Sequence, residues 1–108
     1  MPAEDNKRSI HRRLLNRILH GPGQASADQR AHAFENAGLP EPLHALLGKV
    51  ASRSAGVTDS DFATAIEAGF TDDQLFELVI CAAVGESTRQ YEAGLAALAE
   101  ATADTETA

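Results

Sequence analysis

The chain contains one cysteine, Cys81, and it is the only side chain here that could support thiol chemistry. It lies inside the uninterrupted apolar run from Leu78 to Val84. In such surroundings an uncharged thiol packs as a small hydrophobic group, and burial tends to raise its pKa. Redox chemistry would also need a resolving thiol, which only another subunit could supply. We therefore predict that Cys81 belongs to the core, with peroxide sensing as the alternative.

Two other sets of polar residues have spacings that suit acid–base chemistry. His11 falls on the apolar side of a helical pattern, where it could reach a pocket, although such a histidine more often makes a structural hydrogen bond. Glu86, Arg89 and Glu92 are spaced three apart beside Gly85, so they share one helical face. Ion pairing at the surface is the default interpretation of these three residues. A buried acid–base set that lines a pocket between subunits is the alternative.

Motifs for metals, phosphates and nucleophilic triads do not occur in the sequence. The remaining histidines, His20, His32 and His44, are not spaced three or four residues apart, and one cysteine cannot build a cysteine-based metal site. There is no glycine-rich phosphate loop and no nucleophile elbow. We predict no metal and no cofactor.

Size and charge narrow the range of functions further. A chain of 108 residues is a single domain, and its nine Lys and Arg against sixteen Asp and Glu give a charge of −7, the wrong sign for nucleic-acid binding by the whole domain. No apolar run approaches the ~20 residues that span a bilayer, and the first thirteen residues lack the apolar region of a secretory signal. These features predict a soluble, cytoplasmic protein that binds neither nucleic acid nor membranes.

The charge is distributed unevenly along the chain. Residues 1–36 hold six basic residues, whereas residues 59–108 hold one basic and eleven acidic residues.

Composition and periodicity together predict an all-α fold of five to six helices. The chain has 21 alanines and only 5% aromatic residues, which favours closely packed helices over a β-sandwich. Residues 6–20 form an amphipathic first helix whose polar side is basic, and this side could bind a protein partner. A short helix is expected over 26–37 and a helical core over 40–101. We expect the ends, residues 1–5 and 102–108, to be disordered.

Helix boundaries are marked by local capping signals. In a capping box, a hydroxyl side chain caps the start of a helix and the residue three positions later bonds back to it. The pattern occurs three times, at Ser26 with Gln29, at Thr58 with Asp61, and at Thr71 with Gln74. Gly38 and Gly69 follow short helical patterns, as expected where the backbone turns left-handed.

The last element is predicted to be long and apolar. From Leu75 to Val84 the apolar residues occupy every side of the helix, which is typical of a central, buried element. Tyr91, Leu95 and Leu98 continue one apolar stripe beyond Gly85. The element is therefore either one long helix, kinked at Gly85, or two stacked helices.

The stretch from Leu43 to Leu95 resembles the C-terminal half of the alkylhydroperoxidase D-like superfamily, which includes the carboxymuconolactone decarboxylases. The resemblance is carried by VTDSDFATAIEAGFTDDQLFELVICAAVGESTRQYEAGL and covers about half of the chain. Its features are an acidic helix start after Val57-Thr58, Ala68-Gly69 at the end of that helix, an acidic capped start at Thr71, and a long alanine-rich helix with Arg89 late in it.

The resemblance implies a fold and an oligomer, since these small helical proteins generally assemble through their long helices. The peroxidase branch uses an upstream helix with a glutamate, a Cys-x-x-Cys pair and a histidine, and this chain has no such pattern. We therefore expect a non-catalytic accessory, scaffold or small-ligand-binding protein. The alternative is a decarboxylase-like acid–base enzyme or a hydroperoxide reductase that uses Cys81. Exposed apolar surface in a small monomer independently predicts a homo-oligomer built on Leu75–Leu98.

Overall fold

The computed structural model describes the backbone of residues 3–107 and the side chains of residues 6–103. Within residues 3–107 the chain forms five α-helices and no strand, which confirms the all-α prediction and the long C-terminal helix. A single 3-10 turn, Ser54–Gly56, separates the third and fourth helices. The helices are α1 (Ala3–His20), α2 (Ala27–Glu35), α3 (Leu43–Ser52), α4 (Asp59–Glu67) and α5 (Asp72–Thr107).

All three predicted capping boxes are confirmed. The hydroxyl of Ser26 accepts from the backbone N–H of Gln29 at 3.1 Å, and the Gln29 side chain accepts from the Ser26 N–H at 3.0 Å. The same reciprocal pair of bonds occurs at the starts of α4 and α5. Each box satisfies N–H groups that the first turn of a helix leaves without partners.

The helix ends also follow from local backbone chemistry. Gly38 and Gly69 have the predicted positive φ angles of 72° and 108°. Asn36, which sequence reasoning did not single out, forms the left-handed cap of α2 with φ of 54°. Asparagine tolerates this conformation better than most residues, so α2 ends at Glu35, before Gly38 is reached.

The core forms where α5 crosses the other helices. Leu75, Leu78 and Cys81 of α5 are buried against Leu43 and Leu47 of α3. Other small buried residues bring the neighbouring helices close to α5, namely Ala33 of α2, Ala65 of α4 and Ala82 of α5 itself. The expectation that the segment from Leu75 to Val84 is buried on every side is wrong for one side of the helix. Phe76 is 69% exposed and Ala83 is also exposed, because none of the other helices covers these positions of α5.

Helix α5 is continuous across Gly85, so the last element is one helix and not two stacked helices. Its 36 residues correspond to about 54 Å at 1.5 Å per residue, close to the 58 Å length of the molecule. The radius of gyration is 16.9 Å, against about 13 Å for a compact domain of this size. The molecule is elongated because the second half of α5 extends beyond the core: all residues from Tyr91 to Ala103 are exposed.

The predicted disorder of residues 1–5 and 102–108 falls mostly outside the residues whose side chains are described, and it stays a prediction. The helix bounds themselves begin at Ala3 and end at Thr107. None of the helices within residues 3–107 combines the length and apolarity needed to cross a membrane.

Candidate functional site

Helix α1 runs alongside α5 in the opposite direction. Near the end of α1, the Ile18 carbonyl oxygen lies 3.6 Å from the Cys81 sulfur of α5. About two turns earlier in α1, His11 Nε2 lies 3.3 Å from the Thr88 hydroxyl oxygen. Positions toward the N-terminus of α1 therefore lie beside positions toward the C-terminus of α5.

An open groove lies between these two helices, and we call it the α1/α5 groove. It has a volume of about 820 Å³ near its middle, and a second cavity of about 610 Å³ continues it toward Leu98 and Thr102. The apolar side chains that line it are Ile10, Leu14, Leu15, Val84, Tyr91, Leu95 and Leu98.

Exposed apolar surface is concentrated in this groove. Among residues 6–103, seven large apolar side chains are exposed, and five of them line the α1/α5 groove. The other two, Ile66 and Phe76, do not line it. A contiguous apolar patch of this kind marks an interaction surface more often than scattered exposed residues do.

His11 is at the centre of a small polar cluster in the groove. Its ring forms a hydrogen bond with the hydroxyl of the buried Thr88. The centroid of the His11 ring lies 6.3 Å from that of the Tyr91 ring, and the two ring planes are tilted by 40°. The structure therefore gives His11 the hydrogen bond that sequence reasoning took as its commoner role. The cluster contains no carboxylate within the contacts described for His11.

The two sides of the groove carry opposite charges. Lys7, Arg8 and Arg12 line it from α1, whereas Glu92 lines it from α5. Glu92 and Arg12 form no ion pair among residues 6–103, since the two ion pairs found there join other residues. The charges at the edge of the groove are therefore available to a molecule that covers it.

Cys81 lies below the groove, in the core. It is 1% exposed, and burial raises the pKa of its thiol, while the nearby Arg30 opposes this effect only in part. A raised pKa lowers the fraction of reactive thiolate at neutral pH. The geometry therefore favours the core role for Cys81.

Glu86 and Arg89 come together, but outside the α1/α5 groove. Arg89 Nη2 lies 3.0 Å from Glu86 Oε2, and Arg89 Nη1 donates to the Phe34 carbonyl oxygen at 2.7 Å. Hydrogen bonds from Arg89 and then from Gln90 hold the pKa of Glu86 below its usual range. Both side chains remain about one-third exposed, so they match the surface ion pair expected by default. Glu92, the third member of the set, does not join them.

Two polar residues with structural roles were not identified from the sequence. Arg30 is 8% exposed, and its Nη1 donates to the Gly21 carbonyl oxygen at 2.7 Å, beyond the end of α1. The carboxylate of Glu77 accepts the backbone N–H groups of Gln24 at 2.8 and 2.9 Å and of Ala25 at 3.1 Å. Together they fix the loop between α1 and α2 against α5. The only signal for Glu77 in the sequence was a charge inside an otherwise apolar helical pattern, and Arg30 had no such signal, because several of its neighbours in α2 are polar too.

The histidines do not form a metal site in the described part of the chain. His20, His32 and His44 are all exposed, and residues 6–103 contain no group of three His, Cys, Asp or Glu side chains placed to hold an ion.

Comparisons with models of protein families, with curated proteins and with solved structures found no match to this chain.

Proposed function

We propose that this protein is a non-catalytic accessory or scaffold protein that works by binding another molecule in the α1/α5 groove. We also propose that it belongs to the alkylhydroperoxidase D-like superfamily and acts in the cytoplasm. The superfamily proposal rests on the resemblance over Leu43–Leu95. The cytoplasmic location agrees with a free, buried cysteine.

The observation that carries the proposal is the separation of Cys81 and of the Glu86–Arg89 pair from the accessible apolar surface. The groove collects five of the seven exposed large apolar side chains. The thiol lies in the core, and the Glu86–Arg89 pair lies at another surface, next to a separate cavity of about 480 Å³. An enzyme site would bring a nucleophile or an acid–base pair to the accessible pocket. Of the candidate catalytic side chains, His11 and Glu92 line the groove, but the contacts described for His11 include no carboxylate that would act with it. A binding surface needs apolar contact and a charged rim, and the groove has both.

Oxidation by a hydroperoxide tests the non-catalytic part of this proposal. Native protein, the Cys81→Ser variant and chemically unfolded protein are each mixed briefly with stoichiometric organic hydroperoxide, and their intact masses are measured. We expect the wild-type mass to rise only after unfolding, because the native thiol is buried and largely protonated. Rapid oxidation of the native wild type, absent in Cys81→Ser, would instead support the hydroperoxide reductase.

A second candidate function is the binding of a small amphipathic anion, with one charged group and an apolar chain. The groove volume of about 820 Å³ falls within the ~300–1,000 Å³ typical of ligand pockets. Lys7, Arg8 and Arg12 at its edge would attract a carboxylate, and its apolar walls would hold the chain of such a molecule. A concentration-dependent rise in melting temperature with linear carboxylates of six to twelve carbons would support this function. The absence of any shift at millimolar concentration would argue against it.

A further inference from the structure

We infer that the occupant of the α1/α5 groove is a second copy of this chain, placed so that α1 of each copy packs along α5 of the other. The result is a four-helix bundle made of two α1/α5 pairs. This inference rests on the proposed function, because it identifies the molecule that the groove binds.

The first argument is the amount of surface that the single chain leaves exposed. Its accessible area is 7351 Å², whereas a compact monomer of 11.4 kDa would expose roughly 5,800 Å². A standard protein interface removes about 800 Å² from each partner. The excess is therefore large enough to supply such an interface, and the exposed second half of α5 contributes to it.

The second argument is the pattern along α5. Val84, Thr88, Tyr91, Leu95, Leu98 and Thr102 all line the two cavities of the groove. Their spacing alternates between four and three residues, which is the repeat that packs one helix against others in a bundle. Beyond Tyr91, only α1 packs beside this stripe. A single α1/α5 pair therefore leaves exposed the apolar face that a four-helix bundle would bury.

The third argument is charge, which selects the second copy and its orientation. Each chain presents a basic helix, α1, beside the acidic second half of α5. If α1 packed on α1 of the second copy, like charges would face each other and repel. If α1 packs on α5 of the second copy, basic residues face acidic ones at both symmetric contacts. A two-fold axis parallel to the helices produces this second arrangement.

The same axis identifies a specific contact between the copies. A two-fold rotation about an axis parallel to the helices keeps every residue at its own level along the bundle. Ile18 lies beside Cys81 and His11 lies beside Thr88 in the single chain. The two helices are antiparallel, so the same register places Lys7 level with Glu92, and both residues line the groove. The rotation therefore brings Lys7 of one copy opposite Glu92 of the other, and it does so twice. These two residues form no ion pair within the single chain, as far as residues 6–103 show.

Sedimentation equilibrium over a range of protein concentrations tests the inference. We expect the wild type to form a dimer at micromolar concentration, and Leu95→Glu to raise the dissociation constant by 100-fold or more, because it buries two unpaired charges. Phe76→Glu is the matched control: it places the same charge on an exposed apolar position of α5 outside the groove, and it should leave the dissociation constant unchanged. Far-UV circular dichroism establishes that both variants remain helical. Equal weakening by both variants would overturn the assignment of the interface to the groove.

Charge reversal tests the orientation. Lys7→Glu and Glu92→Lys should each weaken the dimer by about 3- to 10-fold, because two attractive contacts become repulsive. The double variant should restore wild-type affinity. If either single variant leaves affinity unchanged, then α1 does not pack on α5 of the second copy.

The outcomes distinguish this inference from the proposed function. A wild type that remains monomeric at 100 μM would overturn the second copy as occupant, while an inert Cys81 would leave the non-catalytic binding function standing. Rapid oxidation of native Cys81 would overturn the proposed function, whether the protein is a monomer or a dimer.

Discussion

Arg89 donates a hydrogen bond from Nη1 to the carbonyl oxygen of Phe34 at 2.7 Å, and this bond joins the middle of α5 to the end of α2. The carbonyl groups in the last turn of a helix have no partner within that helix. A guanidinium group satisfies one of them and also interacts favourably with the negative end of the helix dipole. Arg89, for which the sequence left an acid–base role only as the alternative to ion pairing, therefore has a structural role in this fold.

The close approach of α5 to α2 depends on Gly85. A Cβ atom at this position would overlap the Phe34 carbonyl oxygen. We predict that Gly85→Ala destabilises the protein by about 1–3 kcal/mol, because the two helices must move apart. The free energy of unfolding in urea measures the effect.

Gly48→Ala provides the control for Gly85→Ala. Gly48 also lies inside a helix, but an added Cβ there meets no atom within 4 Å. Alanine is the better helix former, so this substitution should stabilise the protein by up to about 1 kcal/mol. The same sign of change at both positions would contradict the close packing of α5 against Phe34.

Arg30 should contribute strongly to stability. It is buried, and its Nη1 donates to the Gly21 carbonyl oxygen at 2.7 Å and, more weakly, to that of Ile18 at 3.4 Å. We predict that Arg30→Met lowers the free energy of unfolding by about 1.5–3 kcal/mol, since buried carbonyl groups lose a charged donor. Arg13→Ala removes an exposed arginine from α1 and should change stability by less than about 0.5 kcal/mol. Similar losses in both variants would contradict the role given to Arg30.

The ion pair between α3 and α4 should make stability depend on pH. Lys49 Nζ lies 2.9 Å from the nearer carboxylate oxygen of Asp61. Hydrogen bonds from Lys49 and then from the Thr58 N–H hold the pKa of Asp61 below its usual range. A carboxylate with a lower pKa in the folded state stabilises the fold above its unfolded pKa, about 4 for aspartate. This stabilisation is lost as the pH falls through the folded value.

Urea unfolding of Asp61→Asn at several pH values measures this contribution. Asparagine can still accept the Thr58 N–H, so the substitution mainly removes the charge. The difference from wild type should be largest near neutral pH, shrink as the pH falls below the unfolded pKa, and disappear once the pH is below the lowered folded pKa. Asp59→Asn, at the start of the same helix, controls for the loss of one negative charge near a helix end. A difference that stays constant from pH 7 to pH 3 would contradict the ion pair.

The features that were predicted from the sequence are those that depend on nearby residues. A capping box needs only residues three apart, so Ser26, Thr58 and Thr71 could be identified without a tertiary structure. A left-handed glycine likewise shows in a short pattern, as at Gly38 and Gly69. The long helix was predicted from its own apolar periodicity.

The features that were missed depend on contacts between distant residues. Glu77 and Gln24 are 53 positions apart, and Thr88 and His11 are 77 apart. No local pattern distinguishes a glutamate that holds a loop from one that faces solvent. The α1/α5 groove was likewise hidden, because the sequence shows two amphipathic helices but not how far apart they lie. Which helix faces remain uncovered follows only from the tertiary arrangement.

Concentration-dependent hydrogen exchange tests most directly that a partner copy covers the α1/α5 groove. A solvent-exposed helical segment opens at little cost in free energy, so its amides exchange quickly. We predict that exchange slows in residues 7–15 and 91–103 as the protein concentration rises through the micromolar range, because the second copy holds these segments. Residues 43–52 of α3, which lie in the core, should not change. Fast exchange of residues 91–103 at every concentration, or slowing confined to other helices, would contradict the account.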